Sequence, residues 1–389
     1  MRSESCDIFC NVIDNYGDIG VGWRLARQLA DEYGLQVRLW VDDLGSFAKL
    51  CPGADAALDV QRCFGVEVRL WSKAFPEVQP ADLVIEAFAC KLPPRYVGAM
   101  AAREHKPVWV NLEYLSAEGW VETHHKLPSP HPRLPLTKYF FFPGFTNKTG
   151  GLLLERDLLL QRDVFQNDAA QQRSFWQSIG VTPPAAGVFK VSLFSYENAA
   201  LAGLFDAWAN GTQTVLCLVP EGRILPQLGE YFGGGAPQVG SSHVRGKLQV
   251  RVVPFVAQAD YDKLLWACDM NFVRGEDSFV RAQWAGKPLV WQIYPQEDAV
   301  HRQKLAAFLD IYSASLSPAA ARATRDLWEI WNAQCSPRGV EWARVAEMSD
   351  VLNQQAKGWA GQLSANNLVL NLLDFFREAG RMRASEIKG

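Results

Sequence analysis

DIFCNVIDNYGDIGVGWRLARQLADEYG, Asp7 to Gly34, is the stretch from which the fold class can be read. Its opening run, DIFCNV, has an apolar centre, Ile8, Phe9 and Cys10, as in a strand buried on both faces. Gly17, Gly20 and Gly22 follow in a turn. Beyond it Val21, Leu25, Leu29 and Tyr33 fall on one helical face, with Arg24, Arg27 and Asp31 on the other. Gly34 is a stop signal. Strand, glycine turn and helix make one βα unit, whose helix N-terminus suits an anion. Yet Asp14 and Asp18 stand in the same turn, and two carboxylates repel a phosphate.

The same alternation recurs along the chain. DIFCNV, VRLWV, VEVRLW, DLVIEAF, PVWVNL and KYFFF are expected strands of a first, mostly parallel sheet. From about Gly187 the pattern restarts with VFKVSLF, QTVLCLV, LQVRVV, DMNFV and PLVWQI, separated by helical segments such as YDKLLWAC. The polar stretch before Pro183 and Pro184 resembles a linker, so the boundary is expected near Pro184. From about Trp328 the chain reads as consecutive helices. A length of 389 residues exceeds what one hydrophobic core usually supports, which also favours two domains.

Composition narrows the function classes. Thirty-nine basic residues against forty-two acidic leave a formal charge of -3, with no general attraction for nucleic acid or anionic membranes. Eight cysteines without a CxxC pair, most of them in apolar runs, read as reduced core residues. The first residues lack the apolar core of a secretory signal, and no apolar run approaches the roughly 20 residues of a membrane span, so a cytoplasmic protein is expected. His124, His125 and His131 cluster in a proline-rich stretch without metal-ligand spacing, which reads as a solvated loop.

In open α/β sheets ligands bind beyond the carboxyl ends of the strands, so the turns there are the candidate sites. RGEDS, Arg274 to Ser278, follows an expected strand and opens a helix. Its first-turn N–H groups can hold a diphosphate, and Glu276 can accept hydrogen bonds from a ribose. An ordinary helix cap by Asp277 or Ser278 explains the motif equally well. In PFVAQ, Phe255 at a strand mouth can stack on a base or simply close the core. Just beyond, Asp260, Tyr261 and Asp262 spell DxD, the string by which metal-dependent sugar transferases hold a diphosphate. Because it opens a helix, a capping role is expected for it, and no metal site.

VIDNYGDIGVGWRLARQL, AFAC with NLEYLSAEGW, and RGEDSFVRAQWAGKPLVWQIYPQEDAVH resemble the protein-arginine rhamnosyltransferases that modify bacterial translation elongation factor P. The resemblance spans both halves and is looser at about residues 120 to 185 and after about 310. It implies the GT-B architecture, two Rossmann-like domains facing across a cleft. The first would be residues 1–184, with helix 365–389 packing back onto it, and the second, residues 185–364, would bind the nucleotide sugar. It further implies inverting transfer of rhamnose from dTDP-β-L-rhamnose to an arginine of elongation factor P, with no cofactor or metal.

Carried over position by position, the resemblance makes Asp18 the acid acting on the acceptor arginine, with Asp14, Asn15 and Gly17 shaping the catalytic turn or meeting the sugar. It assigns Phe194, Tyr196, Phe255, Gln258, Arg274, Glu276, Asp277 and Ser278 to the donor site, with Tyr294 and Gln296 completing the wall. Two rival readings are a dinucleotide-dependent oxidoreductase and a non-catalytic module that grips a translation factor. The first wants GxGxxG after its first strand, whereas the glycines here are ordered GxxGxG in an acidic turn.

Overall fold

A computed structural model describes residues 4–12, 16–295, 300–333 and 341–386. The chain divides into two compact units, Met1–Arg156 with Leu363–Gly389, and Asp157–Gln362. The first contains β1 (Ser5–Cys10), α1 (Gly17–Asp31), β2 (Gln36–Val41), α2 (Leu44–Leu50), β3 (Val60–Cys63), β4 (Val66–Leu70), β5 (Leu83–Ala87), α3 (Pro94–Ala102), β6 (Val108–Leu112), α4 (Val121–His124), β7 (Pro128–Pro130) and β8 (Thr137–Phe141). The second contains α5 (Leu158–Asn167), α6 (Ala169–Ser178), β9 (Phe189–Leu193), α7 (Leu201–Ala209), β10 (Val215–Pro220), α8 (Leu225–Phe232), β11 (Ser242–Arg245), β12 (Leu248–Val253), α9 (Gln258–Ala267), β13 (Met270–Arg274), α10 (Glu276–Trp284), β14 (Leu289–Gln292), α11 (Val300–Tyr312), α12 (Pro318–Trp331), α13 (Trp342–Glu347) and α14 (Ser349–Leu363). The chain ends in α15 (Leu368–Glu386), which belongs with the first unit.

Both sheets follow one plan. The first has strand order β3-β4-β2-β1-β5-β6-β8-β7 and the second β11-β12-β10-β9-β13-β14. In each, the strand that opens the unit lies centrally, and successive parallel strands run outward to one side before the chain crosses to the other. That crossing creates a topological switch point, between β1 and β5 in one unit and between β9 and β13 in the other. The expected strands are all present. The short antiparallel edge strands β3, β7 and β11 escaped the sequence reading because their few residues carry no apolar run.

The division falls after Arg156, so α5 and α6 lie with the second unit and not with the first, as a boundary near Pro184 would have had it. Packing explains the difference. Phe165 of α5 meets Trp266 of α9 at 5.8 Å, Gln166 Nε2 donates to the carbonyls of Trp266 and Ala285, and Arg162 donates to that of Trp284. The tail is tied into the first unit through Leu152, which bonds Asn366 and Leu368 through its own N–H and carbonyl. Gly151, at φ +79°, permits this approach, since a Cβ there would lie 2.3 Å from the Asn366 carbonyl oxygen.

The first core is built on Phe9, Trp40, Phe75 and Tyr96, with Phe9 stacked on Trp40 at 5.7 Å and edge-on to Tyr96 at 4.8 Å. Asp7 is buried beneath it. Its carboxylate accepts two bonds from Arg38 at 2.6 Å, one from the Ala81 N–H at 3.0 Å, and others from Trp40 and Tyr96. Such saturation is what makes a buried charge tolerable. Helix α1 departs from its expected amphipathic pattern, because Arg24 is buried and pairs with Glu155 at 3.5 Å. Residues after Leu152 lie along that side of α1, where Gln28 also donates to the Leu154 carbonyl, so the helix is covered on both faces. Gly34, at φ +71°, does end it, with the Leu35 N–H reaching back to the Leu29 carbonyl.

Candidate functional site

In the first unit β1 runs into the turn whose Asp14 and Asn15 lie outside the described residues. Gly17 is the first residue of α1, and Asp18 sits in its first turn at 1% exposure. The dipole of that turn favours a carboxylate there. Around it the Cys10 thiol is pushed well above its usual range, by burial first and then by the Asp18 carboxylate, with Cys90 and Asp42 adding to it. Cys10 is thereby kept a neutral packing residue. Asp42 holds the end of the strand by accepting from the Val12 N–H at 2.8 Å.

Across the switch point β5 ends in AFAC. Phe88 and Ala89 have φ of +57° and +55°, consecutive left-handed non-glycine residues, each costing about 1–2 kcal/mol. Three contacts hold them there. The Phe88 N–H donates to the Leu112 carbonyl at 2.7 Å, the Ala89 N–H donates to Asn111 Oδ1 at 3.2 Å, and the Phe88 ring stacks on Tyr114 at 4.5 Å. Val21, three residues beyond Asp18 on α1, packs into the same cluster as Phe88 and Tyr114.

In the second unit the turns after β9, β12, β13 and β14 carry the expected donor residues. Arg274 ends β13 at 4% exposure, its guanidinium carbon 4.4 Å from the ring centroids of both Phe194 and Tyr196. A cation flanked by two aromatic faces is held electrostatically and by packing. Tyr196 meets Tyr294 edge-on at 5.6 Å, and Phe194 meets Tyr261 likewise at 5.7 Å. Tyr294 is 48% exposed. Gln296 lies outside the described residues.

Helix α10 starts from Gly275, at φ +66° and ψ −171°, with no side-chain cap. Neither Asp277 nor Ser278 is therefore the helix cap that sequence allowed; both are buried inside the first turn. Gln258 Nε2 faces Asp277 Oδ2 at 3.4 Å, and the Tyr261 hydroxyl, raised in pKa mainly by burial, lies beside Ser278. Phe255 is half-buried, with Gln258 opening α9 beyond it. Glu276 is half-buried at the helix start.

DxD takes no part as a unit. Asp260 pairs with Lys263 at 2.9 Å, and Asp262 binds Arg281 through bonds of 2.9 and 2.7 Å, so neither is the cap of α9, which Ala257 provides. Among the described residues no three His, Cys, Asp or Glu side chains are grouped to hold a metal. The histidine stretch is also not simply solvated, since the Phe142 N–H donates to His125 Nδ1 at 3.1 Å and the Arg133 and Leu134 N–H groups to His131 Nδ1. The seven described cysteines are buried and free. No described helix is long and apolar enough to cross a membrane.

Residues that sequence reading passed over support this geometry. Gln292, at the end of β14, accepts from the Tyr196 N–H at 2.8 Å and donates to the Glu197 carbonyl. Trp291 donates to the Gly275 carbonyl at 3.0 Å and stacks on Phe279 at 4.1 Å, so it braces the start of α10. The available signal was a glutamine ending a buried apolar strand, PLVWQ.

The family model described as "Elongation-Factor P (EF-P) rhamnosyltransferase EarP" matches residues 6–377. The chain belongs to the EarP family. Curated relatives named protein-arginine rhamnosyltransferase are 52% identical over 96% of this chain and 98% of the relative in Pseudomonas putida, and 48% identical over 96% and 99% in Pseudomonas aeruginosa. A solved structure described as the structural basis for EarP-mediated arginine glycosylation of translation elongation factor EF-P is 39% identical, with TM-score 0.69, over 96% of this chain and 99% of that one. A glycosyltransferase from Rickettsia africae, 9% identical with TM-score 0.52, shares the fold alone. As an EarP-family member the chain is a glycosyltransferase, and its paired parallel sheets are those of the α/β GT-B class.

Proposed function

We propose that this enzyme transfers rhamnose from dTDP-β-L-rhamnose to one arginine side chain of translation elongation factor P, with inversion at the anomeric carbon and no resident metal or cofactor. The observation that carries the reading is Asp18, a buried carboxylate in the first turn of α1 at the switch point of the first sheet. Family membership and the relatives' names support arginine as acceptor and rhamnose as the group moved.

An arginine side chain needs such a carboxylate. Its pKa lies above about 12, its N–H groups are all donors, and its lone pairs are delocalised, so it is a poor nucleophile at neutral pH. A carboxylate accepting two of those N–H bonds localises a lone pair on one nitrogen. As that nitrogen forms its bond to the anomeric carbon, the carbon–oxygen bond to dTDP breaks, its electron pair leaves with the diphosphate, and Asp18 takes the nitrogen's proton. Attack from the face opposite dTDP gives the α-linked product.

The second unit suits the leaving group. The N-terminus of α10 offers its positive dipole end to the diphosphate, and Arg274 adds a full charge. Glu276 repels phosphate but accepts ribose hydroxyls, while Phe255 offers a ring to the base. The test is to incubate the enzyme with elongation factor P, with and without dTDP-rhamnose, and follow intact mass. A donor-dependent gain of one deoxyhexose, mapped to an arginine, is expected; no gain overturns the reading.

A further inference from the structure

Strands β1, β5 and β6 lie side by side in the first sheet, and their carboxyl ends lead to Asp18, to Phe88, and to Glu113 with Tyr114. The mechanism above uses only Asp18. The other three are not ordinary strand-end residues. Phe88 is held left-handed with its ring under Tyr114, and Val21 of α1 fills the gap between this aromatic pair and the helix that bears Asp18.

We propose that Glu113 and Tyr114, backed by Phe88, form the seat of the acceptor's guanidinium, and that Asn111 is the positioning residue that fixes it. This rests on the arginine-transfer reading and extends it to the residues that select the acceptor. A guanidinium is a flat, weakly hydrated cation, so its preferred partners are an aromatic face and a carboxylate at its edge. Tyr114 is half-buried, its ring supported from below by Phe88 at an interplanar angle of 21°. Glu113 is half-buried immediately beside it, and Asn111 Nδ2 donates to Glu113 Oε1 at 2.5 Å. The Asn111 amide is itself buried and oriented by the Ala89 N–H on its oxygen, so it couples the strained AFAC turn to the carboxylate. Such a seat holds the planar ion in place while Asp18 handles the proton. A lysine ammonium, compact and without a π-face, gains much less from it.

The experiment is acceptor kinetics at saturating dTDP-rhamnose, with calorimetric binding of elongation factor P in the absence of donor. Glu113→Gln and Tyr114→Ala are expected to raise the acceptor KM at least tenfold and to weaken donor-free binding by a similar factor. In both, kcat stays within threefold and dTDP affinity within twofold. Tyr114→Phe, which keeps the ring, stays within twofold of wild type, and Asn111→Ala follows Glu113→Gln. If Tyr114→Ala melts early, Tyr114→Leu and the isosteric Glu113→Gln carry the comparison. Acceptor KM and binding unchanged within twofold in folded variants of an active enzyme overturn this seat alone. A wild-type enzyme that neither binds nor modifies elongation factor P overturns the arginine-transfer reading, and the seat with it.

Discussion

The first unit buries its Asp7–Arg38 pair toward the amino ends of β1 and β2, whereas Asp18 lies beyond the carboxyl end of β1. The second buries Asp262–Arg281 between α9 and α10, the two helices whose opening turns present Gln258 and Glu276 to Ser278. In the first unit the buried pair therefore lies at the opposite end of β1 from the turn proposed to be catalytic. In the second unit the ion pair joins the two helices that carry the proposed donor residues, so on that proposal stability and ligand affinity share one contact.

The largest effect expected from that contrast is on stability. Arg281→Met strands a buried carboxylate and should cost about 3–5 kcal/mol in denaturant unfolding, with dTDP affinity falling with it. Asp7→Asn should cost less, up to about 3 kcal/mol, because Arg38 is partly solvated and the amide keeps some of the bonds. Its dTDP affinity should stay at the wild-type value. Equal loss of donor affinity in both variants would erase the distinction between a remote and a local brace.

Next in size is chemistry. Asp18→Asn keeps the shape of the turn but cannot take a proton, so transfer should drop at least about a hundredfold while dTDP binding changes by no more than a few fold. Near-normal turnover by intact mass would remove Asp18 from that role. The donor side should respond in the opposite way. Glu276→Ala and Phe255→Ala are expected to weaken dTDP by roughly tenfold each, the scale of one lost ribose bond or one base stack. Unchanged calorimetric affinity takes either residue out of the donor site.

The contrast between the units was partly legible in sequence. Parallel strands buried on both faces announce themselves as apolar runs, and strand ends locate the turns, so GDIG, PFVAQ and RGEDS could be singled out before any coordinates, whereas Phe194 and Tyr196 came only with the family resemblance. Pairwise contacts leave no such mark. Nothing in DYD says that Asp262 reaches Arg281, nineteen positions on, and nothing in AFAC says that Phe88 is left-handed and stacked on Tyr114, just beyond β6. The boundary was misplaced for the same reason: α5 looks like linker until Phe165 is found against Trp266. Arg24 likewise reads as a solvent-facing charge, because its cover comes from Glu155, far along the chain.

His125 carries the smallest expected effect, and it belongs to the first unit alone. Burial, with Lys126 adjacent, lowers its pKa from 6.5 to about 4, and its Nδ1 accepts the Phe142 N–H, which only the neutral ring can do. The folded-state pKa lies below the unfolded one, so the contribution to stability is complete above about pH 6.5. It is lost as pH falls from there toward 4. Asp43 and Asp82, whose pKa values are lowered from 3.8, lose their contributions only at lower pH, which keeps the two windows apart. His125→Asn retains an acceptor oxygen without a titrating group. Thermal unfolding of this variant should therefore depend less on pH between 6.5 and 4 than that of the wild type, while dTDP affinity in the second unit is untouched. Parallel pH profiles for the two proteins would mean that His125 gains a proton without disturbing the Phe142 contact.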